Sequence, residues 1–304
     1  MSGARRLALA AAAAGALAPL VRRRLRLPRP VTSVLVWQAP LAVSLAVPRT
    51  RARDVAVYAL QMWAYLAHYE LPNDTPDELA ARVRVGYPIR VDRVIGCGEI
   101  PTVRLQRALG GRAAEGVRLH DTALAVVHWS WFFFPHGSVA YILFRHRDHF
   151  ERSAVQMAAV FDLGAAVYWL VPTAPPWWAA QKGRLPHVRR IMTEAGELFW
   201  GRAWPPLYDS LSGNQLAAMP SLHFGTSVMA AHVLSDVGRV PGALGWTYAM
   251  TLGFALVYLG EHYVVDLAAG LALAESVRLA GPPLTPSFRR IKRAIQALEP
   301  GGGR

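Results

Sequence analysis

Two short clusters in this 304-residue chain combine residue types at spacings suited to phosphate chemistry. In the first, Pro220, Ser221, Leu222 and His223 follow a turn-prone stretch, Asp209 to Asn214, and open an apolar run. Proline suits the first turn of a helix, where its missing N–H costs nothing. The free amides and positive dipole end of such a helix attract a phosphate, which would lie beside Ser221 and His223. The second cluster is Glu261-His262-Tyr263-Val264-Val265-Asp266. His262 and Asp266 are four residues apart and so share one helix face, where the carboxylate can fix the imidazole tautomer and raise its basicity. Ionisable groups at the ends of apolar runs are costly, which makes their positions informative.

The elements that must position these groups are membrane-like. The chain is 53% hydrophobic and only 17% charged, with 33 Lys+Arg against 20 Asp+Glu and a formal charge of +13. This excludes disordered, collagen-like and disulfide-stapled classes, and the lone Cys97 cannot form an internal disulfide. Only Lys182 and Lys292 are lysines. The arginine-dominated balance suits anionic lipid headgroups, because the guanidinium fork holds phosphate and never loses its charge. No nucleic-acid partner, cofactor or metal is expected; no H-E-x-x-H stretch occurs, and His146 and His149 belong to no wider histidine box.

The expected fold is all-α and polytopic, a six-helix transmembrane core with an amphipathic or re-entrant N-terminal segment. An Ala-rich run from Leu7 to Val21, bounded by arginines, reads as an interfacial anchor. Apolar runs follow at about 31–47, 54–69, 120–144, 153–171, 219–236, 243–259 and 262–279, the first interrupted by Gln38-Ala39-Pro40. These give three regions: a basic N-terminal anchor over 1–52, a catalytic membrane domain over 53–280 and a basic tail over 281–304. In the tail, Phe288, Ile291, Ile295 and Leu298 fall on one helical face, as in a helix lying on an anionic leaflet. Arginine-rich connections at 48–54 and 145–152 should be cytoplasmic by the positive-inside rule. That places a cap over 70–118 and a loop over 172–218, with both chemical clusters, on the extracytoplasmic face of the cell membrane. His128, His136, His146, His149 and His232 read as packing or headgroup-facing residues, and Trp129 to Phe134 as lipid-facing aromatics.

The two clusters resemble the signatures of the type 2 phosphatidic acid phosphatase superfamily, in the branch that includes inositol phosphorylceramide synthases and their bacterial relatives. The P-S-x-H signature is matched by Pro220, Ser221, Leu222 and His223. H-x-x-x-D before a small-residue helix is matched by His262, Asp266 and then Ala268, Ala269 and Gly270. Pro172 to Trp177 resembles that branch's proline-rich loop, and Tyr87-Pro88 through Gln106 its preceding segment, so the likeness covers roughly 80–280. Two features depart from the phosphatases. Leu256 stands where they carry an arginine six residues before the histidine. Their K-x6-R-P signature is met only by Lys182 and Arg189, with Arg190 in place of the proline.

The resemblance implies two-step phosphoester transfer. His262 would attack phosphorus, oriented by Asp266, and His223 would protonate the leaving alcohol and then activate the acceptor. Ser221 and the neighbouring amides would hold phosphoryl oxygens, with cationic help from Lys182, Arg184, Arg189 and Arg190, or from Arg90 and Arg93. The substrate would be a phospholipid or polyprenyl phosphate in the bilayer. A lipid or sugar hydroxyl as acceptor makes the enzyme a phosphoalcohol transferase of the inositolphosphoryl type; water makes it a lipid phosphate phosphatase. A non-catalytic lipid-binding or transport protein on the same scaffold is the third reading.

Overall fold

The computed structural model describes residues 3–110, 116–211 and 213–298, and among them it is all-α, with no strand. Helices α1 (Gly3–Leu25), α2 (Arg29–Ala46) and α3 (Arg51–Glu70) come first. Three short helices follow, α4 (Pro76–Arg82), α5 (Gly86–Ile95) and α6 (Pro101–Leu109), then α7 (Leu119–Ser130), α8 (Phe134–Arg145) and α9 (Arg147–Leu170). The next three, α10 (Pro176–Gln181), α11 (Ile191–Trp200) and α12 (Trp204–Leu211), precede α13 (Leu222–Ser235), α14 (Arg239–Tyr258) and α15 (Val264–Leu298). The segments expected as a cap and an outer loop are therefore largely helical.

The chain divides into two compact units, one of residues to Leu71 with those from Leu279, the other Pro72–Arg278. In the first, α1 and α2 approach closely: a Cβ on Gly15 would lie 2.3 Å from the Leu35 carbonyl oxygen. Trp63 of α3 donates its indole N–H to the Ala16 carbonyl at 3.0 Å. Thus α3 belongs with α1 and α2 in the first unit. The run at 31–47 is one unbroken helix that passes through Pro40 instead of breaking there. The helix of α15 likewise continues past 280, so no break sets off the tail; several of the side chains on its expected apolar face, Phe288, Ile291 and Leu298 among them, lie outside the described residues.

Helix lengths do not reproduce six spanning helices. Among the described residues, α1, α9 and α14 are long and apolar enough to cross a membrane by length and composition, which includes the run expected to be only an anchor. The run at 120–144 is split by a turn at Trp131–Phe133 into two helices of 12 residues each. Pro135 explains the break: it has no N–H to give, and its ring would clash with the carbonyl of residue 131 in a continuous helix. The 14 residues of α13 extend about 21 Å at 1.5 Å per residue, short of a hydrocarbon core of about 30 Å. Instead, α13 is enclosed by protein, with Val228 to Ala231 fully buried.

Small residues let the helices of the second unit approach each other, as expected where no water drives apolar surfaces together. The start of α13 meets α15 where Gly225 faces Gly270, and a Cβ on Gly270 would sit 2.4 Å from the Ser221 carbonyl oxygen. Three extended segments lie side by side nearby: Arg84, Thr173 and Ala217 form parallel bridges, with Thr173 N–H donating to Leu216 at 2.9 Å and Ala218 N–H to Thr173 at 3.0 Å. They tie the cap, the proline-rich loop and the lead-in to α13 together by backbone alone.

Because the obstacle at Gly270 is backbone that cannot rotate away, Gly270→Ala should lower stability by about 1–3 kcal/mol, the usual cost of overpacking. Gly137→Ala, with nothing within 4 Å of the added carbon, should not. Thermal unfolding of the two variants in detergent compares them directly; equal melting temperatures would mean that the α13–α15 contact relaxes without cost.

Candidate active site

Ser221 sits at the N-cap of α13, and its hydroxyl accepts the Phe224 amide at 3.3 Å. The Tyr168 hydroxyl of α9 accepts the Leu222 amide at 3.3 Å and donates to the Pro220 carbonyl at 2.7 Å. The helix start anticipated at Pro220 thus comes two residues later, and part of its amide cluster is already satisfied by protein. Ser221 is fully buried. What this capped start does is aim His223, in the first turn, away from the buried α13 stripe and toward the start of α15.

There, α14 ends at Tyr258, and Gly260, two residues on with a φ of +85°, reverses the chain in a conformation that a side chain would strain. The amides of Glu261 and His262 both donate to the Leu256 carbonyl, at 3.0 and 3.1 Å. Leu256 itself is buried and contributes no charge. His262 Nδ1 stands 3.4 Å from Asp266 Oδ2, which also accepts the Tyr263 amide at 2.9 Å. On the other side of the ring, His262 Nε2 stands 3.3 Å from His223 Nδ1. Asp266, His262 and His223 therefore form one chain, closed by the Ser221 amide donating to the Asp266 carbonyl at 2.9 Å. With a proton on Nδ1 facing the carboxylate, His262 presents a lone pair at Nε2. The long contacts are of the kind that tighten when a substrate arrives. Such a chain can attack an electrophile and pass a proton.

Four of the six anticipated cations separate. Arg189 is almost fully buried and spends its guanidinium on Glu194, at 2.5 Å, and on the Gly110 carbonyl, at 2.6 Å. It is a structural tie rather than a group open to a ligand. Arg190, its neighbour, points the other way. Its guanidinium lies 3.7 Å from the centre of the Trp177 ring, bonds the Tyr208 hydroxyl, and pairs with Glu261 at 3.1 Å, directly beside His262. Burial works against its charge, but Glu261 and Tyr208 more than compensate and hold the guanidinium above its usual pKa range. Lys182 and Arg184 line a separate cavity.

Four positions make contacts in or beside the site that the sequence pattern does not assign to any role. His128, expected as packing, is buried with its ring centre 4.9 Å from that of His223. Glu261, His262 and Arg190 all lie within its electrostatic reach. Trp131, expected against lipid, packs 4.2 Å from the His223 ring and donates to the Thr226 hydroxyl at 2.9 Å. Gln106 donates to the Arg189 and Tyr258 carbonyls at 2.9 and 2.8 Å and accepts the Arg189 amide at 2.9 Å, so it fixes the Arg189–Arg190 segment against the end of α14. Asp92 accepts the Val264 and Val265 amides, each at 2.9 Å, and so caps α15 two residues after His262. Burial pushes the Asp92 carboxyl up, and those two hydrogen bonds pull it part of the way back. Pro135, at the start of α8, was the available signal for Trp131; no local pattern marks the other three. Both ring nitrogens of His128 and the indole nitrogen of Trp177 are buried with no hydrogen-bond partner among the described residues. Buried donors are rarely left unsatisfied, and those that are point to a missing ligand or a functional role.

The chain belongs to the PAP2 superfamily, whose sequence model matches residues 106–277. It is 28% identical over 144 residues to the phosphoinositol dihydroceramide synthase of Bacteroides thetaiotaomicron, covering 43% of this chain and 45% of that protein. It is 29% identical over 119 residues to the inositol phosphorylceramide synthase catalytic subunit of Schizosaccharomyces pombe, covering 36% of this chain and 28% of that protein. The chain thus spans less than half the length of either relative. No solved structure matches it.

If Asp92 sets the start of α15, Asp92→Asn replaces one acceptor by a donor facing an amide N–H. It should cost about 1–3 kcal/mol and lower turnover with it. Thermal unfolding and activity measured on the same preparation test this, and an unchanged melting temperature would remove Asp92 from the capping role.

Proposed function

We propose that the protein is an integral-membrane phosphoalcohol transferase of the inositolphosphoryl type, acting on a phospholipid or lipid phosphate through a phosphohistidine. The observation that carries this reading is the continuous Asp266–His262–His223 chain, in which His262 Nε2 and His223 Nδ1 face each other across 3.3 Å. In the first step His262 Nε2 attacks phosphorus, an N–P bond forms, the P–O bond to the lipid alcohol breaks, and the leaving oxygen takes a proton from His223. In the second, His223 removes a proton from the acceptor hydroxyl, whose oxygen attacks phosphorus as the N–P bond breaks. His262 is then restored. Asp266 holds the tautomer throughout and stabilises the positive charge that develops on the ring.

Phosphoryl oxygens need donors in place before they arrive. Arg190, with His128 and the Trp177 indole, supplies them: Trp177 stacks against the guanidinium, His128 stands 4.9 Å from the His223 ring, and both are buried without hydrogen-bond partners among the described residues. This set takes over the duty of the arginine that Leu256 replaces. Ser221 acts as the cap that orients His223, and Arg189 as the tie that anchors its neighbour. The likeness to a phosphoinositol dihydroceramide synthase and to an inositol phosphorylceramide synthase favours an alcohol over water as acceptor. Release of free phosphate in place of a new lipid would shift the reading to a lipid phosphate phosphatase.

With a substrate radiolabelled at phosphorus, wild-type protein quenched during turnover should carry acid-labile, base-stable label, and His262→Ala should carry none. Label that persists on the variant would remove His262 as nucleophile. Asp266→Asn keeps the shape but loses tautomer control, so turnover should fall on the order of 10⁴-fold, as in a Ser-His-Asp triad. Near-normal turnover would break the pairing.

The reading also places the site on the extracytoplasmic face of a multi-pass protein, in line with the basic connection at 145–152. Cys97, exposed after α5, is a natural reporter. In intact cells it should react with an impermeant thiol reagent, whereas an added Arg147→Cys in a Cys97→Ser background should not. The opposite pattern would move the site to the cytoplasmic side.

A further inference from the structure

The charge open to an incoming anion is not concentrated at the histidines. Arg189 and Arg190 each have a carboxylate partner, Glu194 and Glu261. A cavity of about 640 Å³ nearby is lined by Val83, Arg84, Val85, Gly86, Tyr87, Arg90, Trp178, Lys182 and Arg184, and so has four cations and no carboxylate in its wall. None of the four pairs with an acid among the described residues. Lys182 instead rests over the Trp178 ring, 5.3 Å from its centre. Like charges held around one cavity repel each other, and an anion placed among them relieves that repulsion.

The cavity is built into the fold. The Arg84 backbone is fixed on both sides, its amide donating to Pro172 at 2.8 Å and its carbonyl accepting from Ala174 at 3.0 Å. Behind the wall, Val85 and Ala180 pack on the buried cluster of Ile89, Ala179, Leu185 and Tyr263. It also adjoins the transfer centre without sharing its side chains. Trp177 and Trp178 are neighbours on α10, yet Trp177 stacks under Arg190 while Trp178 and Lys182, four residues apart and on one helix face, turn to the cavity. Tyr87 links the two, its hydroxyl 2.7 Å from that of Thr173 and 3.3 Å from the Met219 sulfur, two residues before Ser221.

We propose that this cavity is a second anion-binding site, which holds a phosphomonoester carried on a polyol while the transfer centre handles a different phosphorus. Three of the four cations are arginines, whose forked donors match the oxygens of a phosphate, and the volume lies in the range of small-ligand clefts. The phosphomonoester belongs either to a lipid headgroup or to a soluble polyol phosphate. The proposal rests on the phosphotransfer reading for its biological sense, but its test does not depend on turnover.

Full-length His262→Ala protein in detergent is titrated calorimetrically with inositol 1,4-bisphosphate. One site per chain is expected. Binding should weaken roughly tenfold for each cation removed in Arg84→Gln, Lys182→Gln and Arg184→Gln, and should fall beyond detection in the triple variant. Arg190→Gln, in the transfer centre, should leave the affinity unchanged, and uncharged inositol should not compete. These cations are exposed, so the variants should match the parent in melting temperature and gel-filtration profile, which separates lost binding from lost fold. Displacement of the probe by phosphatidylinositol 4-phosphate in mixed micelles assigns the site to a lipid headgroup; tight binding of the probe that this lipid does not displace assigns it to a soluble anion. Unchanged affinity in the triple variant, or affinity lost in Arg190→Gln alone, would overturn the proposal. A His262→Ala enzyme that still transfers phosphate would refute the nucleophile and leave this site standing.

Discussion

One backbone hydrogen bond, from the Ser221 amide to the Asp266 carbonyl, brings together two motifs that lie a helical hairpin apart in sequence. It forms only because Gly225 and Gly270 let the starts of α13 and α15 touch at backbone distance. With those starts joined, His223 and His262 meet, and Asp266 serves its histidine through the side chain and the opposite helix through the main chain. Buried on both sides, neither motif can shift without breaking a hydrogen bond that water cannot replace, which is the expensive case for any polar group. The pre-organisation of the centre is therefore a property of helix packing as much as of its side chains.

Around that junction, each helix start is held by a different device. Ser221 caps α13 from its own chain, Tyr168 reaches in from α9, and Asp92 caps α15 from α5. Gln106 does the corresponding work at the end of α14, where it satisfies three backbone groups at once. Residues far apart in sequence thus converge on a few turns of backbone. This is why the segment before the apolar core, polar as it is, belongs to the same folding unit.

The readings that succeeded from sequence rest on local spacing. The four-residue spacing of His262 and Asp266 does bring their side chains together, although His262 lies in the turn two residues before α15 rather than on a face of that helix, and Pro220-Ser221 marks the start of α13. The all-α class follows from apolar runs punctuated by Pro and Gly. What failed depended on direction across space. Arg189 and Arg190 are chemically identical neighbours, and only the path of the chain after Val188 decides which one meets Glu194 and which meets Glu261. His128 lies in an apolar run like any packing histidine; nothing within ten residues says that its ring will stand beside His223. The six-helix count rests on hydropathy, which does not distinguish a run facing lipid from one enclosed by protein, as α13 is, or one interrupted by Pro135, as α7 and α8 are.

If Arg190 holds the phosphate as proposed, its pairing with Glu261 makes anion capture at the transfer centre an exchange. A phosphate that takes hold of Arg190 must release a carboxylate already in place, so the local charge before binding is close to balanced and few counterions are waiting to be expelled. Attraction from a distance is correspondingly weak. Selection then falls on geometry at contact range, where a tetrahedral phosphate can outcompete a single planar carboxylate for the same guanidinium. A free fatty acid or an acidic headgroup lacking phosphorus brings only what Glu261 already offers, and the centre has no reason to open for it.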